Sequence, residues 1–432
     1  MIELVYRADV EATSFAIRAP DDAIRIEPDF SLPTGERLVP YSASNDLIAS
    51  RCVRLPADVA PFAGKAELLR DLRAFISRYV DLDPVQEDIA AHYVLLSWVN
   101  DAFSEVPYLR FQGAFGSGKT RALLVVGELC YKAFLASGAS TVSPIFHILD
   151  RIGSTLVLDE ADARFSDATA DLTKILNNGT TKGLRVLRTM PTKQGELSPK
   201  AFNVFGPKLI AMRGAFEDDA LESRLITIVT GRRKLRRDIP LSLPDAMRAE
   251  ALALRNRLLG WRFAAFGKVS IEPGRAIPSL TPRGNQMALP LFALIDDENL
   301  RHAIAEELAE AEELTSHVRN SLPEVRMVRI LAQMAGATAA PYIPLSALRD
   351  AYNEGEIGSS VPSLSFKSAG WLVRRKLGLR TVKTRGVYVI PGDQWDKVAR
   401  LAVRYGIEHE PAAGRPQERE ETAEGSNYTP SV

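Results

Sequence analysis

Gly113-Ala114-Phe115-Gly116-Ser117-Gly118-Lys119-Thr120 is the stretch that decides how this chain folds. It has the spacing G-x-x-x-x-G-K-[ST]. An apolar strand pattern, Tyr108 to Gln112, leads into it, and a helical pattern from Lys119 to Ala133 leaves it. In that context the glycines permit a tight turn. The N–H groups of Gly116 to Thr120 can wrap a phosphate, and the helix turns its positive end toward the anion. Lys119 is placed to neutralise β- and γ-phosphate oxygens, and Thr120 to offer a hydroxyl to Mg²⁺, which takes few protein ligands. Gly113, Gly116, Ser117, Gly118, Lys119 and Thr120 therefore make a candidate site for ATP with Mg²⁺. The bland alternative is a chance glycine-rich turn before a helix.

Downstream, strand and helix patterns keep alternating. Phe134 to Ser137, Thr155 to Leu158, Lys208 to Met212 and Leu225 to Val229 read as strands, with a helix around Pro144 to Asp150. This predicts an α/β fold with a parallel sheet and helices on both faces. Thr155-Leu156-Val157-Leu158-Asp159-Glu160-Ala161-Asp162 is an apolar strand ending in acids, a Walker B pattern. Asp159 is suited to hold the metal through water and Glu160 to polarise an attacking water. Alternatively, Glu160 and Asp162 are solvated acids at a strand end. Arg224 sits just before the apolar strand at Leu225. Such an arginine can reach a neighbouring subunit's γ-phosphate; otherwise it is a surface arginine paired with Glu222 or Asp219.

On either side of this core the reading is coarser. Met1 to about Pro56 gives short strands and turns, and Lys65 to Tyr79 and Pro84 to Phe103 give two helices. Pro244 to Phe266 and Asn285 to Thr315 are helical, with Arg283 at the opening of the second, placed to sense a γ-phosphate. From Pro323 the pattern is helix (Glu324 to Ala335), helix (Pro344 to Tyr352), helix (Ser365 to Leu377) and a strand pair ending at Ile390, a winged helix-turn-helix. No acid falls between Glu356 and Asp393, whereas Lys367, Arg374, Arg375, Lys376, Arg380, Lys383 and Arg385 do. That local basic patch suits phosphate contacts, although many winged helices bind protein. Trp371, Val373 and Leu377 interleave with it and are read as core rather than as a base-stacking platform. Past Glu408 the chain is Pro-rich and acidic, which predicts a disordered tail. The expected division is 1–60, 61–106, 107–240, 241–322, 323–392 and 393–432.

Composition bounds what else the chain can be. At 432 residues, with 46% hydrophobic and 25% charged, it has the balance of two or three globular domains. Lys+Arg and Asp+Glu both number 54, so no global field draws it to nucleic acid or membrane. Two distant cysteines and five scattered histidines predict neither a disulfide nor a structural zinc. Glu3, Arg7, Asp9 and Glu11 break any signal-peptide core, and no apolar run reaches bilayer length, so a cytoplasmic protein is expected.

With these residues in hand, the chain resembles the AAA+ helicases carried by mobile elements, which are similar to the minichromosome maintenance replicative helicases. The resemblance covers roughly Ala91 to Ile390. It is strongest in Pro107-Tyr108-Leu109, the phosphate loop, Leu158-Asp159-Glu160-Ala161-Asp162 and Ser223-Arg224-Leu225. It implies a P-loop AAA+ core with a helical lid and the C-terminal winged helix-turn-helix, hexameric rings, and DNA as partner. Arg224 then matches a trans-acting arginine finger and Arg283 a second sensor. It also implies a β-hairpin inserted after the acidic motif, with Gly183 to Thr189 and Ala201 to Phe205 as strands. Its tip is Pro191 to Glu196, and Lys193 there is the DNA contact. An exposed hairpin that serves subunit packing is the alternative. Arg213-Gly214 stands where this family places a polar first sensor, so that role is unassigned. Met1 to Pro56 has no zinc module and is unlike the family's DNA collar.

The resulting expectation is a ring-forming, ATP-dependent DNA helicase or translocase that replicates a plasmid, phage or integrated element. Priming would fall to a separate primase, because the N-terminal region lacks room for a nucleotidyl-transfer domain. Its competitors are an AAA+ loader or remodeller of a protein on DNA, and a DNA-binding regulator whose assembly ATP switches.

Overall fold

The structure is a computed structural model. It describes residues 1–407 apart from 138–139, 162–166, 192–194, 217, 233–234, 273, 275, 321–322, 338–340, 355–362 and 406. Two compact units divide the chain, 1–312 and 313–432.

In the first unit, β1 (Ile2–Arg7), β2 (Ala12–Arg18) and β3 (Ile24–Glu27) form an antiparallel sheet, followed by the small pair β4 (Phe30–Ser31) and β5 (Arg37–Leu38) and the turn-length α1 (Asp46–Ala49). Then come α2 (Lys65–Tyr79) and α3 (Pro84–Trp98). A capping box of Asp83 and Gln86, with Pro84 in the first turn, starts α3. Next are β6 (Tyr108–Gln112), α4 (Lys119–Gly127), β7 (Phe134–Ala136), α5 (Val142–Ile152), β8 (Leu156–Leu158) and α6 (Asp167–Asn178). A hairpin of β9 (Arg185–Pro191) and β10 (Leu197–Asn203) precedes β11 (Lys208–Met212), α7 (Asp219–Glu222) and β12 (Leu225–Val229), and α8 (Ala246–Ala265) and α9 (Pro282–Phe292) follow.

The central sheet is parallel, with order β12-β6-β11-β8-β7. Its side chains alternate between two cores, as the period of two requires. Leu109, Phe111, Leu209, Ala211, Ile226 and Ile228 pack with α2, α3 and α4 on one face. Tyr108, Leu156, Leu158, Ile210 and Met212 pack with Ile145, Phe146, Leu149 and Ile175 on the other. The parallel register brings the carboxyl ends of β6, β8, β11 and β12 to one edge, where open α/β sheets place their ligands.

Three elements depart from the sequence expectation. The helix expected from Asn285 to Thr315 is two, α9 and a second over Glu298–Asn320, and β10 runs Leu197–Asn203 instead of from Ala201 to Phe205. The helix after the phosphate loop, the third, stops at Gly127 instead of running to Ala133. A Cβ at Gly127 would lie 3.1 Å from the Val157 side chain, so the helix meets the sheet there. The backbone beyond is taken by α3: Trp98 Nε1 donates to Leu129 O at 2.9 Å, and Tyr131 N donates to Ser97 Oγ at 3.0 Å. With those groups already satisfied, the helical ladder has nothing to gain by continuing.

Residues 298–320 form α10, which spans the division between the units. The second unit holds α11 (Pro323–Ala337), β13 (Tyr342–Pro344), α12 (Leu345–Glu354), α13 (Phe366–Trp371) with a π turn over Leu372–Lys376, β14 (Val382–Thr384), β15 (Val387–Pro391) and α14 (Trp395–Arg404). Its three-stranded antiparallel sheet has order β13-β15-β14. β13 is an addition to the expected helices and hairpin, because its three residues are too few to show a period.

Candidate nucleotide site and basic surfaces

At the end of β6 the loop turns through two left-handed glycines, Gly116 at φ +76° and Gly118 at φ +89°. Gly113 is required for a different reason. A Cβ there would lie 2.4 Å from Ser117 Oγ and 2.6 Å from Thr230 Oγ1. Those two hydroxyls are themselves 2.9 Å apart, and Thr230 Oγ1 also donates to Gln112 O. Gly231, at φ +79°, lies so close that its Cβ would be 2.8 Å from that of Ser117. Thr230-Gly231 therefore braces the loop from the end of β12. This pair is absent from the sequence reading; its one local signal is a Thr-Gly step directly after an apolar strand.

Gly118 is the N-cap of α4, and no side chain caps the helix. Its first-turn N–H groups and its dipole thus face the loop's concavity. Lys119 folds over the same loop, its Nζ donating to Ala114 O at 3.2 Å. From β8 comes Asp159, whose Oδ1 accepts from Thr120 Oγ1 at 3.2 Å and from the N–H of Glu160 at 3.0 Å. Glu160 is exposed and has φ +56°, an uncommon backbone for a non-glycine residue. A loop turned by two left-handed glycines, orphan helix N–H groups, an ammonium, and a hydroxyl opposed to a carboxylate fit a phosphate with a hydrated Mg²⁺. Among the described residues no cluster of three His, Cys, Asp or Glu forms a metal site of another kind, and both cysteines are free.

Arg224 lies elsewhere. Its carbonyl accepts from Tyr108 N at 3.0 Å, and Leu225 pairs with Tyr108 while Val229 pairs with Gln112. The length of a five-residue strand, about 16 Å, therefore separates it from its own phosphate loop. Glu222 does not partner it. That carboxylate takes Arg110, which is buried in mid-strand, at 2.8 Å, and Phe216 N at 2.9 Å. The Arg224 Nη1 donates to Ala220 O, and its Nε is buried without an acceptor among the described residues. Arg283 belongs to the same end. Burial pushes its guanidinium below the usual arginine value, and the positive charge of Arg224 adds to this while Glu105 opposes it. The structure thus brings Lys119, Thr120, Asp159 and Glu160 together, and sets Arg224 with Arg283 apart from them. Arg213 directly follows β11 and is exposed.

In the hairpin, Lys193 falls outside the described residues. β9 and β10 pair antiparallel from Arg185↔Asn203 to Pro191↔Leu197. Two of the strand-body cations turn inward: Arg188 pairs with Asp171 at 2.7 Å and covers the Phe146 ring, and Lys200 pairs with Asp150 at 3.3 Å, whereas Arg185, at the start of β9, is exposed. Leu187 and Leu197 face outward, 72% and 75% exposed. At the hairpin's root, Lys208 is fully buried and donates to Val204 O and Gly206 O, each at 2.9 Å. Burial lowers that ammonium to about 7.

In the second unit, Lys367, Arg374, Arg375, Lys376, Lys383 and Arg385 are all exposed. Arg385 and Gly386, at φ +49° and +83°, make the two-residue turn that joins β14 to β15. The expectation that Trp371 joins Val373 and Leu377 in the core is corrected. Val373 and Leu377 are buried, whereas Trp371 is 52% exposed. Helical spacing accounts for this, because Ala369, Leu372 and Val373 share the buried arc and Trp371 falls opposite.

No protein-family model matches the chain. No curated protein matches it either. Among solved structures, the apo C-terminal region of NrS-1 is similar at 12% identity and a TM-score of 0.36, over 90% of this chain and 96% of that one. The SCCmec type IV Cch active helicase is similar at 12% identity and 0.33, over 92% and 94%. An inhibitor-bound JCV helicase gives 16% and 0.24, over 62% of this chain and 64% of that one. Likenesses this weak leave the function to be argued from the residues. Among the described residues no helix is long and apolar enough to cross a membrane.

Proposed function

We propose that the chain is an ATP-dependent, ring-forming DNA helicase or translocase that serves the replication of a mobile element. In this reading 107–240 is the AAA+ core, 241–322 its helical lid and 323–392 a winged helix-turn-helix. The loop from Gly113 to Thr120 and Lys119 hold the phosphates, and Thr120 and Asp159 hold Mg²⁺, which supplies neutralisation of charge on the phosphate oxygens. Glu160 orients a water and accepts its proton. The observation that carries the reading is the 3.2 Å approach of Thr120 to Asp159 beneath a loop that Lys119 covers.

Assembly follows from where the arginines lie. Arg224 is a strand length from its own loop, too far to serve it, and so is suited to a neighbouring subunit's phosphate; Arg283, beside it, faces the same neighbour. A hexameric ring is the arrangement we infer.

The test is hydrolysis of ATP and unwinding of a forked duplex by the wild type beside Glu160→Gln, with imaging of particles formed in ATP and single-stranded DNA. Rings with DNA-stimulated, Glu160-dependent unwinding are expected. ATP-dependent rings that neither unwind nor respond to DNA would instead indicate a loader or remodeller of a protein on DNA. One observation favours that second reading: Arg188 and Lys200 spend their charge on Asp171 and Asp150, and two leucines, Leu187 and Leu197, stand exposed on the outward face beside Arg185 and Thr189.

A further inference from the structure

Of the chain's four tryptophans, Trp98 and Trp261 are buried and Trp395 half-buried. Trp371 alone has more than half its surface in water. It stands in the exposed arc of α13, with Lys367 one turn before it and Arg374 and Arg375 one turn after, all three exposed. The π turn begins at the next residue, an irregularity that recurs at functional sites. Arg374 Nη1 donates to Thr381 Oγ1 at 3.2 Å. Lys367 and Arg375 have no ion-pair partner among the described residues. In the same unit Phe366 and Tyr388, 38% and 42% exposed, pair their rings at 6.5 Å, with Lys383 opposite Tyr388 across the strands.

We propose that Trp371 is a stacking platform for an unpaired nucleobase, with Lys367, Arg374 and Arg375 holding the flanking phosphates. This unit then takes single-stranded nucleic acid. The proposal rests on the reading of the chain as a DNA-handling protein, and gives the C-terminal unit its substrate class. A duplex keeps its bases stacked on one another and shows only their edges in the grooves, so the face of an indole finds no base there. A single strand offers a π-face at every nucleotide and a phosphate on either side of it. An acidic peptide can also use a tryptophan among arginines, and it is therefore the competing ligand that the test includes.

The test is a titration of the full chain, without nucleotide, with oligothymidylate and with a duplex of equal length, read by tryptophan emission and by anisotropy of the labelled nucleic acid. Oligothymidylate is expected to quench the emission. Trp371→Ala should weaken its binding about tenfold and leave the duplex unchanged, and Trp371→Phe should keep the affinity without the quench. Arg375→Gln should lower the salt dependence by about one phosphate contact, which Trp371→Ala should not do. Equal losses for strand and duplex would overturn the proposal in favour of a groove contact. So would quenching by oligoglutamate and not by oligothymidylate, the mark of an acidic protein partner, or wild-type strand binding by Trp371→Ala. Lys119→Ala should titrate as the wild type does. A failure of the ATPase reading, seen in hydrolysis alone, is thereby distinguished from a failure here.

Discussion

Ser117 Oγ and Thr230 Oγ1 lie 2.9 Å apart, which ties the phosphate loop after β6 to the residue that follows β12. The contact is long-range, and Gly231 beside it leaves no room for a Cβ. Thr230→Val removes one hydroxyl of the pair at about 1 kcal/mol, so nucleotide binding should weaken roughly fivefold. Gly231→Ala adds left-handed strain of order 1–3 kcal/mol and should weaken it further. Titration with a fluorescent nucleotide analogue reads both. If the two variants bind as the wild type does, the brace has no part in the site.

Arg224→Ala should lower hydrolysis by about 10³-fold, while nucleotide binding by the isolated chain changes by less than about twofold. The sharper measurement mixes two inactive proteins. Arg224→Ala has an intact loop and Lys119→Ala an intact arginine. Interfaces that join the first protein's loop to the second's arginine should therefore recover part of the rate. Arginine acting within its own chain gives no recovery at any ratio.

The parts of the site legible in the sequence are those carried by adjacent residues. The loop and the Asp159-Glu160 step each sit at the end of one strand, so spacing and an apolar run announce them. The hairpin is expected from the family resemblance alone. Along Arg185–Pro191 the apolar Val186 and Leu187 are adjacent and Leu187 faces water, so no period announces the strand. Its partner runs Leu197–Asn203 rather than from Ala201 to Phe205. What escaped depends on distant partners. Thr230 meets Ser117 only after the sheet closes, and Arg110 finds Glu222 across 112 residues, so an arginine within an apolar strand has no visible reason until both are folded. The early end of α4 is of the same kind, set by Ser97 and Trp98 on α3 rather than by a breaker in its own sequence.

His92 makes the first unit sensitive to acid. It is buried on α3, with Nδ1 2.8 Å from Asp88 O, and burial lowers the imidazole to about 4, opposed by that hydrogen bond and reinforced by Lys65 and Arg73. The folded value lies below the ordinary 6.5, so between the two the unfolded chain binds a proton that the folded one refuses. Stability should accordingly fall as pH drops from about 6.5 to about 4, with a slope of up to about 1.4 kcal/mol per pH unit. His92→Leu should flatten that slope in urea midpoints taken across the window. An unchanged slope would place the acid sensitivity in other groups.

The hairpin separates the helicase from the remodeller, because two of its cations are already paired while Arg185 is exposed. Arg188 and Lys200 are held against Asp171 and Asp150 on the inward face, so their replacement by Ala should loosen the hairpin by about 1 kcal/mol or less each and leave the salt dependence of DNA binding alone. Lys193, at the tip, has no such duty in the helicase reading. Lys193→Ala should abolish DNA stimulation of hydrolysis there while basal hydrolysis and ring formation persist. The exposed leucines give the opposite expectation: where Leu187 and Leu197 serve a protein partner, Leu187→Ser with Leu197→Ser should lower assembly or remodelling, and Lys193→Ala should change nothing. Hydrolysis measured with and without single-stranded DNA, on the tip variant and on the double-serine variant, decides between them.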